Sequence, residues 1–486
     1  MEPHHHREEM NEITSKLVHK PFSTKVGSRT IRVVLLLLVA LAIALLVRGL
    51  TVRFISAHLS DPAWFQSNTY AVFDKRAREM LDGKSSIFWI DNPAETDAAI
   101  YPPGYPLWIA FIYKLSGERS AASVQRVQWL LDSFSVLLIV GIGVTAYNWS
   151  AGLASGLLAA LSPLLALYGA TPMADAPASW IVLVSVWMLL WAVKRESPGW
   201  TVAAGLTTGA SCWLRANALL LPLCWALVLL LLMRVSWRRK AEFSGLLVLG
   251  MALVVTPLLI RNAVIFRVLT PTGLGVGTNL WEGIGETDRA AEFGAVYGDK
   301  ALMEQERSTL MLAPDAPFSL YYPEGVRRDR ERARKALGVI LLHPLWYMGV
   351  MTRRTFGMLK YAGTPPPYMG SAGINITSSK CLPVSLQRTP AGLGSDFLGM
   401  AQSVLRWLIL PLALYGAYLS FRVDRLLSGL IFATVLYYLI TLSAMHSELR
   451  YGLPMHALLL VWAGLASIYL PKVVLSSVSN LKPQKT

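Results

Sequence analysis

The run VVLLLLVALAIALLVRGL, residues 33–50, holds a single charge, Arg48. About 20 apolar residues in a helix are needed to cross roughly 30 Å of hydrocarbon, and this run comes close to that length. Lys16, Lys20, Lys25, Arg29 and Arg32 precede it. Cations beside a span face the cytoplasm, which places the N-terminus there. No small-residue cleavage site follows, so an uncleaved span is expected rather than a signal peptide. His4, His5 and His6 read as tail, since three adjacent side chains on a chain end make a poor metal cage.

Similar runs follow at 124–147, 152–168, 178–193, 245–260, 405–420, 426–443 and 453–470. Residues 201–233 (TVAAGLTTGASCWLRANALLLPLCWALVLLLLM) would make one helix of about 50 Å at 1.5 Å per residue. That is too long for one crossing, so the segment must fold back, with the bend at Arg215-Ala-Asn217 ahead of Pro222. The count is about ten spans, even in number, with both termini cytoplasmic. Composition agrees. Hydrophobic residues are 54% and charged residues 15%, whereas a soluble domain carries nearer a quarter charged. The net charge of +15 does not indicate nucleic-acid binding. Much of it lies in short loops (Lys194, Arg195, Arg234, Arg238, Arg239, Lys240, Arg422, Arg425), as membrane orientation demands.

The expected organisation is a cytoplasmic tail at 1–32 and a transmembrane core at 33–262 with a first outer loop at 51–123. A second outer region follows at 263–400, then C-terminal spans at 401–471 and a cytoplasmic tail at 472–486. Within the first loop, residues 106–115 (PLWIAFIYKL) are apolar but short, and read as an interfacial helix. Residues 336–360 are amphipathic, carry Arg353 and Arg354, and are placed on the surface. Cys212, Cys224 and Cys381 fit neither a metal spacing nor a disulfide framework.

The residues with chemical potential gather on the outer side, whereas a transporter would set them near the bilayer midplane. Asp61 lies about ten residues past a membrane exit, where a carboxylate can take a proton from an attacking hydroxyl. It could equally cap a helix starting at Pro62, and the two roles are compatible. Asp175 sits in the short outer turn, as a cation or acceptor ligand or as a cap. Arg215, Arg261 and Arg450 end spans on the outer side, where a guanidinium can grip a lipid phosphate bidentately or simply snorkel. His446, Glu448, Arg450 and Tyr451 form the densest cluster, although Glu448 and Arg450 could pair with each other. Asp132, inside a span, is assigned no role. Asn375-Ile-Thr377 matches a glycosylation acceptor, a short and weak signal.

In order along the chain, these motifs resemble the GT-C superfamily of membrane glycosyltransferases, in particular bacterial relatives of protein O-mannosyltransferases and the lipid A aminoarabinose transferase. They are Asp61, YPPGYPLWIAFIYKLSG (101–117), SPLLALYGATPMADAP (162–177), LRANALLLP (214–222), IRNAVIFRVLTPTGLGVGTNLWEGIG (260–285) and ELRYGLPMHALLL (448–460). The resemblance implies a GT-C type helical bundle whose outer loops carry interfacial helices. It implies inverting transfer of a hexose or pentose from a polyprenyl-phosphate donor to a glycan, lipid or protein acceptor, at the outer face of a bacterial inner membrane. By position Asp61 matches the catalytic base and Asp175 the second acid, while Arg215 and Arg450 are placed to hold the donor phosphate. Tyr101, Pro102, Pro103, Arg261, Asn262, Glu448 and Tyr451 support them. No cofactor is required, although a divalent cation is compatible with the family. Two departures stand out: Pro62 follows Asp61 where many relatives have an acid, and Tyr101 precedes the Pro-Pro pair where many have Lys. The second argues against close identity with the aminoarabinose transferase. The alternatives weighed are a transporter or flippase of lipid-linked sugars, and a surface-polysaccharide ligase or polymerase.

Overall fold

A computed structural model describes residues 26–57, 59, 69–88, 101–271, 273–313, 316–359, 377–446 and 448–480. Asp61, Pro62 and Asn375 lie outside these residues. Among the described residues the regular structure is helical. The elements are α1 (Val26–Ser56), α2 (Thr69–Leu81), α3 (Gly104–Ser116), α4 (Ala121–Ala146), α5 (Trp149–Leu161), α6 (Pro163–Ala170), α7 (Asp175–Lys194), α8 (Pro198–Leu214) and α9 (Leu221–Leu232). They continue with α10 (Trp237–Phe266), α11 (Val276–Gly285), α12 (Asp299–Thr309), α13 (Gly325–Leu342), α14 (Pro344–Leu359), α15 (Pro390–Val423), α16 (Arg425–Ser443) and α17 (Leu453–Asn480).

Among the described residues, seven helices can cross a membrane by length and composition, and an eighth crossing is added if α5 and α6, bent by 59°, count as one. The two remaining expected spans are α8 and α9, with 17 and 12 residues. They fold back at Arg215, whose extended backbone (φ −152°, ψ 138°) ends α8, so the bend falls where span length required it. The α5–α6 break is chemical: Pro163 lacks an N–H to continue α5, and Ser162 Oγ accepts from Leu165 N to start α6.

The segment ending in α17 is the centre of the bundle, with 78% of its span buried, whereas α1 is peripheral at 17%. Small residues permit the closest crossings, as membrane helices favour. Gly205 of α8 faces the Leu247 carbonyl, and Gly250 of α10 faces that of Val202, each too near to admit a Cβ. A charged contact lies inside the bundle as well. Arg48, fully buried, donates through Nε to Asp132 Oδ2 at 2.5 Å and reaches the carbonyls of Ala160 and Ala159. Trp180 Nε1 donates to the other Asp132 oxygen at 2.7 Å. Asp132 is thus a buried, hydrogen-bonded residue that ties α1, α4, α5 and α7.

The interfacial helix expected at 106–115 is α3. It buries Tyr105, Ile109, Ile112 and Tyr113 while Phe111 and Leu115 stay exposed. The surface segment at 336–360 resolves into two helices. α13 ends at His343 and α14 begins at Pro344, which cannot donate into the helix before it.

Candidate functional site

The site is assembled at the N-terminal end of α7 by four chain segments. The first is the turn before α7. Gln125 Nε2 donates to Ala170 O at 2.8 Å and Gln128 Nε2 to Met173 O at 3.0 Å. These two glutamines, three apart on α4, face the turn together. Tyr105 OH in turn donates to Gln128 Oε1 at 3.0 Å, and Ser56 Oγ at the end of α1 donates to Gln125 Oε1 at 2.8 Å. The turn is thereby fixed from three sides.

Asp175 is the first residue of α7, not its cap; Ala174 occupies that position without a side-chain bond. The Asp175 carboxylate turns instead to the second segment, the bend after α8. Arg215 pairs with it, Nη2 donating to Oδ2 at 3.1 Å while Nε lies 3.0 Å from Oδ1. The bend is braced by the Pro-Pro-Gly motif. Pro103 sets the start of α3, and Gly104 lies so close to the Trp213 carbonyl that any Cβ would collide with it. Tyr101, in edge contact with Phe73 at 4.9 Å, lies within electrostatic range of Arg215. Pro102 and Pro103 are buried beside it.

The third segment is the turn Leu449–Gly452 before α17. Arg450 pairs with Glu448, Nη2 donating to Oε1 at 2.7 Å while Nε lies 2.6 Å from Oε2. The pairing read from the sequence is therefore present. Its Nη1 points at Met173 Sδ, 3.4 Å away. Tyr451 sits between the two cations, with Arg215 4.8 Å and Arg450 5.1 Å from its ring centre. A small cavity opens there, lined by Asp175, Ser179, Ser211, Arg215, Asn217, Tyr438, Arg450 and Tyr451.

The fourth segment was not legible in the sequence. Glu286, at the end of α11, contacts His446 Nδ1 and accepts from Arg354 Nη2 at 3.2 Å. His446 Nε2 lies 3.4 Å from Glu448. A chain of alternating charges therefore runs Arg354, Glu286, His446, Glu448, Arg450. Burial alone would lower the His446 pKa, but Glu286 and Glu448 raise it to about 10. Burial alone would raise Glu448, but Arg450 and His446 hold it at about 2. Glu282, one turn before Glu286, is pushed up to about 8 by burial and by Asp299.

The signs give a testable pH dependence. A histidine that gains carboxylate partners stabilises the fold fully below its ordinary 6.5, and loses that contribution as pH rises to about 10. The Glu448 contribution is complete above its ordinary 4.5 and is lost only as pH falls toward about 2. The Tm of the wild-type protein should thus drop more steeply between pH 6.5 and 10 than that of His446→Gln. Parallel curves would mean that His446 carries no charge in the fold.

Arg261 and Asn262 do not join this cluster. Arg261 Nε donates to Ile87 O at 2.7 Å and Nη1 to Asn262 Oδ1 at 2.8 Å, while Asn262 Nδ2 donates to Thr270 O at 2.9 Å. They anchor the end of the first loop to the exit of α10. Among the described residues no group of three or more His, Cys, Asp or Glu side chains could hold a metal ion. Asp175 is paired with Arg215.

Residues 101–260, about a third of the chain, match the family of dolichyl-phosphate-mannose-protein mannosyltransferases. No curated protein matches the chain. Among solved structures it is similar to the oligosaccharyltransferase AglB from Archaeoglobus fulgidus in complex with an inhibitory peptide and a dolichol-phosphate. That pair shares 13% identity and a TM-score of 0.46, covering 92% of this chain and 52% of the other. The same archaeal enzyme in its apo form gives 14% identity and a TM-score of 0.48, with 92% and 52% covered. ArnT from Cupriavidus metallidurans bound to undecaprenyl phosphate gives 17% identity and a TM-score of 0.35, with 91% and 79% covered. The chain spans about half the length of the archaeal enzyme. Its family match over residues 101–260 holds Tyr101, Asp175 and Arg215, and the resemblance read from the sequence, to membrane glycosyltransferases of the GT-C type, stands on that segment.

Proposed function

We propose that the chain transfers a sugar from a polyprenyl-phosphate-linked donor to an acceptor, inverting the anomeric centre, at the membrane boundary where α7 begins. The observation that carries the reading is the convergence of Arg215 and Arg450 on the Tyr451 ring, 4.8 and 5.1 Å from its centre, beside the buried Asp175 carboxylate. A polyprenyl phosphate cannot leave the bilayer, so its reaction belongs at headgroup depth. Negative charge builds on the departing phosphate as the sugar is transferred, and preset cations in a poorly solvated site stabilise it without reorganisation. Arg450 Nη1 faces a thioether, a weak acceptor, which an anionic phosphate oxygen would displace. Glu448 and Asp175 pair with the two guanidinium groups and hold them in place. Asp61 serves as the general base toward the acceptor hydroxyl. The boundary faces the periplasm or exterior of a bacterial inner membrane, where no nucleotide sugars are present and a lipid-linked donor is needed; the acceptor is a glycan, lipid or protein.

Labelled polyprenyl-phosphate sugar supplied to the purified chain in detergent, with no membrane barrier, tests the reading. Label should pass to an acceptor; binding of donor with no transfer would leave only transport. Arg450→Ala should weaken donor binding roughly 10- to 100-fold, the worth of a charged hydrogen bond, with a smaller effect on turnover at saturating donor. Unchanged donor affinity would reassign Arg450 to structure. Accessibility labelling of cysteines placed at 61 and 450 should find both on one side of the membrane.

A further inference from the structure

At the other end of the helices lies a second cavity, of about 550 Å³. It is formed where α7, α9, α15 and α16 end or begin, and its lining includes Arg234, Arg422, Arg425, Glu196, Asp424 and Phe421. α7 has 20 residues and carries Asp175 at its start, so the two sites are about 30 Å apart along it. That is the thickness of the hydrocarbon layer.

The charges in this cavity do not cancel each other. Among the described residues none of the three guanidinium groups is in an ion pair; Arg422 donates to Tyr418 OH at 2.6 Å. The Asp424 carboxylate is engaged with backbone, accepting from Leu426 N at 2.9 Å and Leu427 N at 3.0 Å as the cap of α16. Leu232 of α9 lines the cavity, and on the same helix Leu227 and Leu231, one turn apart, are 57% and 68% exposed.

A cationic mouth at the water boundary joined to an exposed apolar stripe has the two-part chemistry of an anionic lipid. We propose that this cavity binds the phosphate headgroup of an anionic membrane lipid, held by Arg234, Arg422 and Arg425, with an acyl chain along α9. Arginine suits this task because its fork matches phosphate oxygens, and basic recesses between membrane helices favour acidic headgroups. The site is separate from the transfer centre and does not depend on it.

The test uses the full-length chain in detergent, with phosphatidylglycerol, phosphatidylcholine or inorganic phosphate as probes and retained ligand counted by native mass spectrometry. Phosphatidylglycerol should be retained roughly tenfold or more over phosphatidylcholine. The variant R234Q/R422Q/R425Q, eluting as a folded species, should retain the two lipids alike. Equal retention of both lipids by the wild-type protein would overturn the proposal, as would an unchanged preference in the variant. Displacement of phosphatidylglycerol by an equal concentration of inorganic phosphate would assign the site to a soluble anion and overturn the lipid. Should the triple variant not fold, Arg422→Gln alone, at an exposed position, should lower phosphatidylglycerol retention roughly fivefold, and no change there has the same negative force.

Discussion

Asp61→Asn should fold as the wild-type protein does and lose sugar transfer by roughly 10²- to 10⁴-fold, the usual contribution of a positioned general base. The amide is nearly isosteric with the carboxylate but cannot accept the acceptor's proton. α1 is tied at Ser56 to Gln125, which also holds the Ala170 carbonyl in the turn leading to Asp175. Leu59 packs against the core of the bundle. Turnover measured at saturating donor, alongside the elution profile in detergent, decides the matter. A variant with near-normal turnover would remove Asp61 from the chemistry while leaving the Arg215 and Arg450 arrangement untouched.

The second large effect is on stability. Asp132→Ala should destabilise the bundle by about 3–5 kcal/mol, because it leaves Arg48 charged, buried and without its carboxylate. The pair is buried, and the same carboxylate accepts from Trp180, so one substitution loosens contacts among α1, α4, α5 and α7. Replacing both partners by apolar residues, Arg48→Met with Asp132→Leu, should recover most of the loss, since a buried ion pair and a packed apolar pair are often of similar stability. Unfolding followed in detergent gives the measurement. If Asp132→Ala were as stable as the wild type, the pair would not be the brace described.

The helices and their ends were largely legible from the residues, while their pairings were not. Residues 201–233 had to fold back, because no single helix of that length fits a bilayer, and α8 does end at Arg215. The run at 152–168 reads as one span, but it breaks at Ser162-Pro163, where α6 begins. The two outer regions were read as short of spanning, and they hold α2, α3 and α11 to α14. The reading of Asp175 as a cap did not survive, because the side chain found a stronger partner 40 residues away in Arg215.

What the sequence by itself determined is therefore whatever depends on a residue's own transfer free energy and local backbone chemistry: that the chain crosses a membrane repeatedly, that residues 201–233 must fold back, and which charges must sit near a boundary. Only the tertiary structure decided which charges meet. Arg48 and Asp132 are 84 positions apart and Glu286 and His446 are 160 apart. Hydropathy carries no record of which helices become neighbours, yet an unpaired charge in a poorly solvated bundle is so costly that adjacency and pairing are settled together.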